Sequence, residues 1–283
     1  MSEIVTDLGT VNNSRLRAFV LPREHGAWGI LLVPMVTGAT VALLRSGSLL
    51  PVLVFLLASM SLFCLRTPVE SLLGTAVQRI DNGEERRIVI AAIAGYSTVA
   101  CLALAALLWN GRNPGLLLLG AIAAASFGVQ AGLRRLGRAT RMLSQIAGLV
   151  GLTSTAAGAY YVSTGRLGMT AWMIWAANWL FAANQVHMVQ LRIHNAKVAG
   201  FRQRLARGWK FLAGEILTVA LLVAFFHFRL LPKMSVIAFH PMLLRGAAWF
   251  FKKPRPLRVH RLGWMELGFA LIFGVMFVSG FLR

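Results

Sequence analysis

The run Asn184–Asn195, NQVHMVQLRIHN, is the richest concentration of hydrogen-bonding and titratable side chains beside an apolar stretch. At about 100° per residue, Asn184, His187, Gln190 and His194 fall on one face of a continuing helix, with Arg192 close by. A histidine near its ordinary pKa suits general acid–base work, and a guanidinium grips an anionic head through paired N–H donors. Such a stripe at membrane depth implies a wet cavity or a bound polar headgroup. Hydrogen bonding between helices, which Asn and Gln do well, is the structural alternative.

Other groups extend the set. Pro22–Trp28, PREHGAW, places Glu24 and His25 beside the ordinary interface anchors Arg23 and Trp28. Arg66 follows an apolar run and either meets an anionic headgroup or snorkels. Thr67, Pro68 and Glu70 read as a capping box opening a short helix. Arg245, Glu215 and Glu266 are charges inside apolar runs, costly by about 2.5–3.5 kcal/mol each at the centre of a membrane helix, and Arg245 with Glu266 is the expected structural ion pair. His187 or Glu24 is the candidate catalytic acid or base; His25, Arg66, Asn184, Gln190, Arg192 and His194 are the candidate ligand contacts.

Several chemistries are missing from the pattern. There is no P-loop, GxGxxG, HExxH or Cys/His zinc spacing, and the two Asp residues, Asp7 and Asp81, lie in loops. No metal site is expected. Lone histidines such as His25, His187 and His240 are poor grounds for haem ligation, so the cofactor is left unknown. Cys64 and Cys101 lie in apolar runs and form no disulfide framework.

The elements that must carry these groups follow from composition. Of 283 residues, 57% are hydrophobic and 13% charged, with a net charge of +20 and a mean hydropathy of +0.68. Soluble domains carry about 25% charged residues, so this chain lacks the supply to wet a surface. The basic residues sit in short clusters between apolar runs of bilayer-crossing length, which argues for a membrane protein and against nucleic acid as a partner.

Nine runs qualify as spans: 26–44, 48–65, 88–109, 114–133, 142–163, 168–189, 211–228, 234–251 and 262–282. They are continuously apolar, without the ten-residue alternation of barrel strands, so the expected fold is all-α. Residues 1–20 hold Glu3 and Asp7 and no signal-peptide core, so residues 1–25 are expected to precede one nine-helix domain, 26–283. The loops alternate in charge, with 22 of the 29 Lys and Arg on one side and 6, among them Arg45, Arg229 and Lys233, on the other. The positive-inside rule then puts the N-terminus in the cytoplasm and the C-terminus outside. Two cytoplasmic loops, 66–87 and 192–210, are expected to be functional. In the second, Val198, Phe201, Leu205 and Trp209 recur at near-helical spacing among basic residues, reading as an amphipathic helix at the headgroup boundary or else a solvated basic loop. Pro241 is expected to kink its span.

Three stretches together resemble the YwiC-like family of bacterial membrane proteins: PREHGAWGILLVPMVTG (22–38), the basic segment through Glu215, and 241–277 with LLRGAAWFFKKPRPLRVHRLGWMEL. HGAW followed by a proline and a glycine within the first span is the most specific part. The resemblance implies a small multi-pass protein and implies no reaction.

The layout is also similar to UbiA-type intramembrane prenyltransferases, which carry Asp-rich motifs after spans two and six to hold magnesium and a prenyl diphosphate. Here the matching stretches, 66–74 and 187–197, contain no Asp. The similarity therefore implies a UbiA-like bundle in the cytoplasmic membrane that binds or modifies an isoprenoid or other anionic-headed lipid without that magnesium site. Arg66, His187, Arg192 and His194 would contact the head, and Glu24 and His25 would close the rim. The alternatives are a transporter using Glu215, Glu266 and Arg245, or a non-catalytic subunit of a membrane complex.

Overall fold

The computed structural model describes residues 16, 18–22, 25–74, 79–109, 111, 113–137, 140–196, 198, 200–252 and 259–282. Every regular element among them is helical. In chain order these are α1 (His25–Leu44), α2 (Leu49–Leu72), α3 (Gly83–Trp109), α4 (Asn113–Arg135), α5 (Arg141–Thr153), α6 (Thr155–Thr164), α7 (Met169–His194), α8 (Phe201–His227), α9 (Lys233–Ile237), α10 (His240–Phe251) and α11 (Val259–Ser279).

Six helices among the described residues are long and apolar enough to cross a bilayer: Leu49–Leu72, Gly83–Trp109, Pro114–Arg135, Phe201–His227, Lys233–Phe251 and His260–Ser279. Trp28–Leu44 is equally apolar but shorter. In hydrocarbon the backbone can satisfy its own polar groups only within helices or closed barrels, and helices of this composition have no other stable solvent. The chain is an integral, multi-pass, all-α membrane protein whose apolar helices contact the lipid bilayer.

Contacts divide it into two units, Met1–His25 with Leu53–Arg112, and Gly26–Val52 with Asn113–Arg283. In the first, α3 begins on a capping box that the sequence reading placed elsewhere. Asn82 Oδ1 accepts the Glu85 N–H (2.8 Å) and Glu85 Oε2 accepts the Asp81 N–H (2.8 Å). The expected box at Thr67–Glu70 does not form, because α2 runs unbroken through Pro68 to Leu72. A proline forfeits one ladder bond, and the turn is held instead by Arg66 Nε donating to Glu70 Oε1 (2.8 Å) and Ser71 Oγ donating to the Thr67 carbonyl (3.0 Å). Tyr96 hydrogen-bonds Cys64 and reaches the Val20 carbonyl at 3.4 Å.

In the second unit α7 is the central helix. Ala171, Ile174, Ala177, Asn178 and Phe181 along it are all buried. Its amides, which keep it from being as apolar as its neighbours, are turned into the protein. Asn178 Oδ1 accepts from Thr37 Oγ1 of α1 (3.2 Å) while its Nδ2 donates to the Ile174 carbonyl (2.9 Å). Trp175 Nε1 donates to the Val150 carbonyl of α5 (3.2 Å). That bond, with Thr153, Ser154 and Thr155 each donating to a carbonyl three or four residues back, splits the run expected as one span into α5 and α6. The span Lys233–Phe251 is interrupted at residues 238–239, where α9 gives way to α10, and Pro241 sits in the first turn of α10, where its missing N–H costs nothing.

Helices without a hydrophobic force between them associate through small residues that let backbones approach. Gly148 lies against Gln130, Gly151 against Ser126, and Gly38 directly against the Ala156 backbone of α6. Because backbone cannot swing aside, Gly38→Leu is expected to destabilise the protein by about 1–3 kcal/mol or more, read as a lower Tm in detergent. An unchanged Tm would contradict this packing.

Candidate functional site

The stripe read on the sequence divides at its first turn. Asn184 is buried and donates through Nδ2 to Glu215 Oε1 of α8 (2.7 Å). Gln185, its neighbour, is also buried and donates to the Glu266 main-chain carbonyl of α11 (2.6 Å). His187 is half-buried, its ring edge-on to Phe211 with centroids 5.2 Å apart, beside Gly214. Gln190 is half-buried, and its carbonyl accepts from His194 Nδ1 (2.8 Å) on the exposed end of the helix. The stripe thus runs from a sealed interior to an open end.

The interior end joins a charge network. Arg245 of α10 forms an ion pair with Glu266 of α11, and its guanidinium sits 4.6 Å above the Phe269 ring. Glu215 lies within electrostatic reach of Arg245, and Arg192 within reach of both Arg245 and Glu266. Four helices, α7, α8, α10 and α11, therefore each supply a side chain to one polar cluster. Gly246 is part of the construction, because any Cβ there would collide with the Glu215 carboxylate.

The cluster is not internally satisfied. Among the described residues, Arg245 Nε and Nη2, Glu266 Oε1 and Asn184 Oδ1 are buried polar atoms without a hydrogen-bond partner. Each such group costs about 1–3 kcal/mol, so two donors and two acceptors left open in one place need an explanation that packing does not supply.

Around it the basic segment is firmly built. α8 starts at Phe201, after Gly200 at φ 86°, and continues straight into the apolar run, so among the described residues 201–210 are the start of that helix and not a separate one. Residues 192–194 belong to α7, and 66–72 and 83–87 to α2 and α3, so the two expected loops are largely helical. In the second of them Arg204 holds the start of α8. It is buried over the Trp249 ring (5.0 Å), donating through Nε to the Val198 carbonyl (3.1 Å) and through Nη1 to the Trp249 carbonyl, which pins the first turn of α8 to the end of α10. Phe201, Leu205 and Trp209 stay exposed along one side.

Arg66 belongs to the first unit, bonded to Glu70. Glu24 falls outside the described residues, and His25 opens α1 with its side chain outside them too. No group of three or more His, Cys, Asp or Glu among the described residues could hold a metal ion. The sequence reading missed Gln185 as a member of the cluster and left Glu215 apart from the stripe. The signals were present: Gln185 follows Asn184 directly, and a glycine adjoins the buried arginine at Arg245-Gly246.

No curated protein matches the chain. The family model described as YwiC-like protein matches residues 21–161, from the HGAW motif through Pro34 and Gly38 into α6. The network on α7 to α11 lies beyond the matched stretch. On that match the chain belongs to the YwiC-like family.

Proposed function

We propose that this membrane protein binds a lipid with an oxyanionic head, an isoprenoid or another, where α7 leaves the bilayer on the cytoplasmic side of the inner membrane. The bundle would be UbiA-like with nine crossings, and the cavity would work without Asp-rich magnesium motifs. The observation carrying this reading is Arg245: two of its guanidinium nitrogens are buried without an acceptor, and the charge of Arg192 lies close by. Two guanidiniums suit the fork geometry that phosphate and carboxylate oxygens accept. A hydroxyl or water accompanying the head would satisfy Asn184 Oδ1 and Glu266 Oε1. His187 and His194 would flank the head, with Gln190 a further contact. If the chain transforms the lipid, His187 is the candidate acid or base.

The test is mass spectrometry of lipids retained by protein purified from its native membrane. Wild type is expected to retain one anionic species far above its bulk fraction. Arg192→Gln should lose that enrichment on the order of tenfold or more, since a hydrogen bond to a charged group contributes about 1.5–3 kcal/mol. Bulk-like lipid in both would reject the reading.

A second reading, proton or ion transport, is favoured by one observation. The open donors and acceptors are sealed from solvent and of both kinds, as a buried water chain between Glu215 and Glu266 would require. Flux in proteoliposomes that vanishes in Glu266→Gln, with no lipid enrichment, would select it.

A further inference from the structure

The end of the second unit away from this network carries a different assembly. Thr170 lies at that end of α7, about 21 Å along the helix from Asn184 at 1.5 Å per residue. Here the turn after α1, the turn after α8 and the end of the chain beyond α11 meet around a pocket of about 400 Å³. Arg45, Arg229 and Lys233 line it, with no Asp or Glu among the lining residues. None of the three forms an ion pair with a described residue, and Arg45 rests over the Phe281 ring at 5.7 Å. All three side chains are exposed, so water screens their mutual repulsion, and together they set a positive potential at the pocket that favours an anion.

Two further observations point the same way. Among the described residues, the non-glycine positions at positive φ are Ser46 (62°) and Arg229 (53°), one beside a pocket cation and one itself a pocket cation. The αL conformation of Arg229 is locked by Arg229 N–H donating to the Phe226 carbonyl (3.1 Å) and Leu230 N–H to the Phe225 carbonyl (2.8 Å). These two bonds are the Schellman closure of α8, and they fix the Arg229 backbone at the pocket. The charge pattern also leaves six Lys and Arg on this side of the membrane, and three of the six converge here. Apart from Thr170, the other side chains of the wall, among them Met173, Phe226 and Phe281, are apolar.

We propose that Arg45, Arg229 and Lys233 form a phosphate-binding pocket, filled by the headgroup of an anionic phospholipid or by free phosphate. Guanidiniums take two phosphate oxygens in a fork and the ammonium takes a third as a point charge.

The test uses the full chain in an uncharged detergent. Tm is followed against inorganic phosphate, short-chain phosphatidylglycerol and short-chain phosphatidylcholine, with sodium chloride at matched ionic strength as reference. Wild type is expected to be stabilised by phosphate, by phosphatidylglycerol or by both, and not by phosphatidylcholine. A response to phosphate alone identifies the free anion; a response to phosphatidylglycerol without phosphate shows that the apolar wall takes part. Arg229→Gly removes the cation and relaxes the positive φ, so it should fold at least as well as wild type while its affinity falls tenfold or more. Lys233→Gln should weaken binding in the same direction. No response of wild type above the chloride reference, or the same response in Arg229→Gly, overturns the proposal.

Discussion

Arg245→Ala, with Glu266 left in place, is expected to destabilise the protein by about 3–5 kcal/mol, because it strands a buried carboxylate. At this chain length that is a fall in Tm on the order of 10 °C. Two costs combine. Glu266 loses its cation while its Oε1 already lacks a partner, and Glu215 loses the positive charge that lies near it. Phe269 also loses the guanidinium above its ring. The double variant Arg245→Met with Glu266→Met should recover most of the loss, since a buried ion pair replaced by packed apolar groups is often neutral. If the network served stability alone, the double variant would behave as wild type in every respect. If it is a site, the variant should fold and still lose its enriched lipid. A single Arg245→Ala costing under about 1 kcal/mol would contradict the buried pair.

Arg204→Ala is the second large effect. Arg204 bridges the Val198 and Trp249 carbonyls and stacks on the Trp249 ring, so alanine strands two carbonyls and removes a cation–π contact. Charge-assisted bonds contribute about 1.5–3 kcal/mol each, and the expected loss is about 3 kcal/mol. Arg204→Lys should recover little, because one ammonium cannot donate to both carbonyls and stack as a plane. The loss should concentrate where α8 meets α10. Faster proteolysis near Gly200 than elsewhere would report it, and an unchanged cleavage pattern would contradict it.

The helical, membrane-embedded class was legible because apolar runs of bilayer length have one stable solution, and α2, α3, α4, α8 and α11 show it directly. What escaped was where a helix starts and stops. Pro68 looked like a helix opening because Thr67 and Glu70 stand at capping distances, yet Arg66 uses Glu70 four residues on and carries the turn through. Residues 192–210 read as an amphipathic helix or a solvated basic loop because Val198, Phe201, Leu205 and Trp209 recur at near-helical spacing, and no pattern in one segment reveals that Arg204 is buried against Trp249, forty-five residues away. The Thr153–Thr155 break depends on Trp175 of another helix for the same reason. At the site, periodicity found Asn184 and His187 but could not place Glu215 or Gln185, since the bonds that join them cross between helices. The polar face of α7 was readable as a face; that it is sealed at Asn184 and open at His194 was not.

The central claim is that the open hydrogen-bonding atoms around Arg245 and Arg192 await a lipid head. A cryo-EM map of the protein in nanodiscs made from its own membrane lipids tests it most directly. The account predicts elongated non-protein density with its compact end beside Arg192 and Arg245 and its tail along α7. Density for water alone among Asn184, Glu215, Arg245 and Glu266, with Arg192 bare, would contradict it.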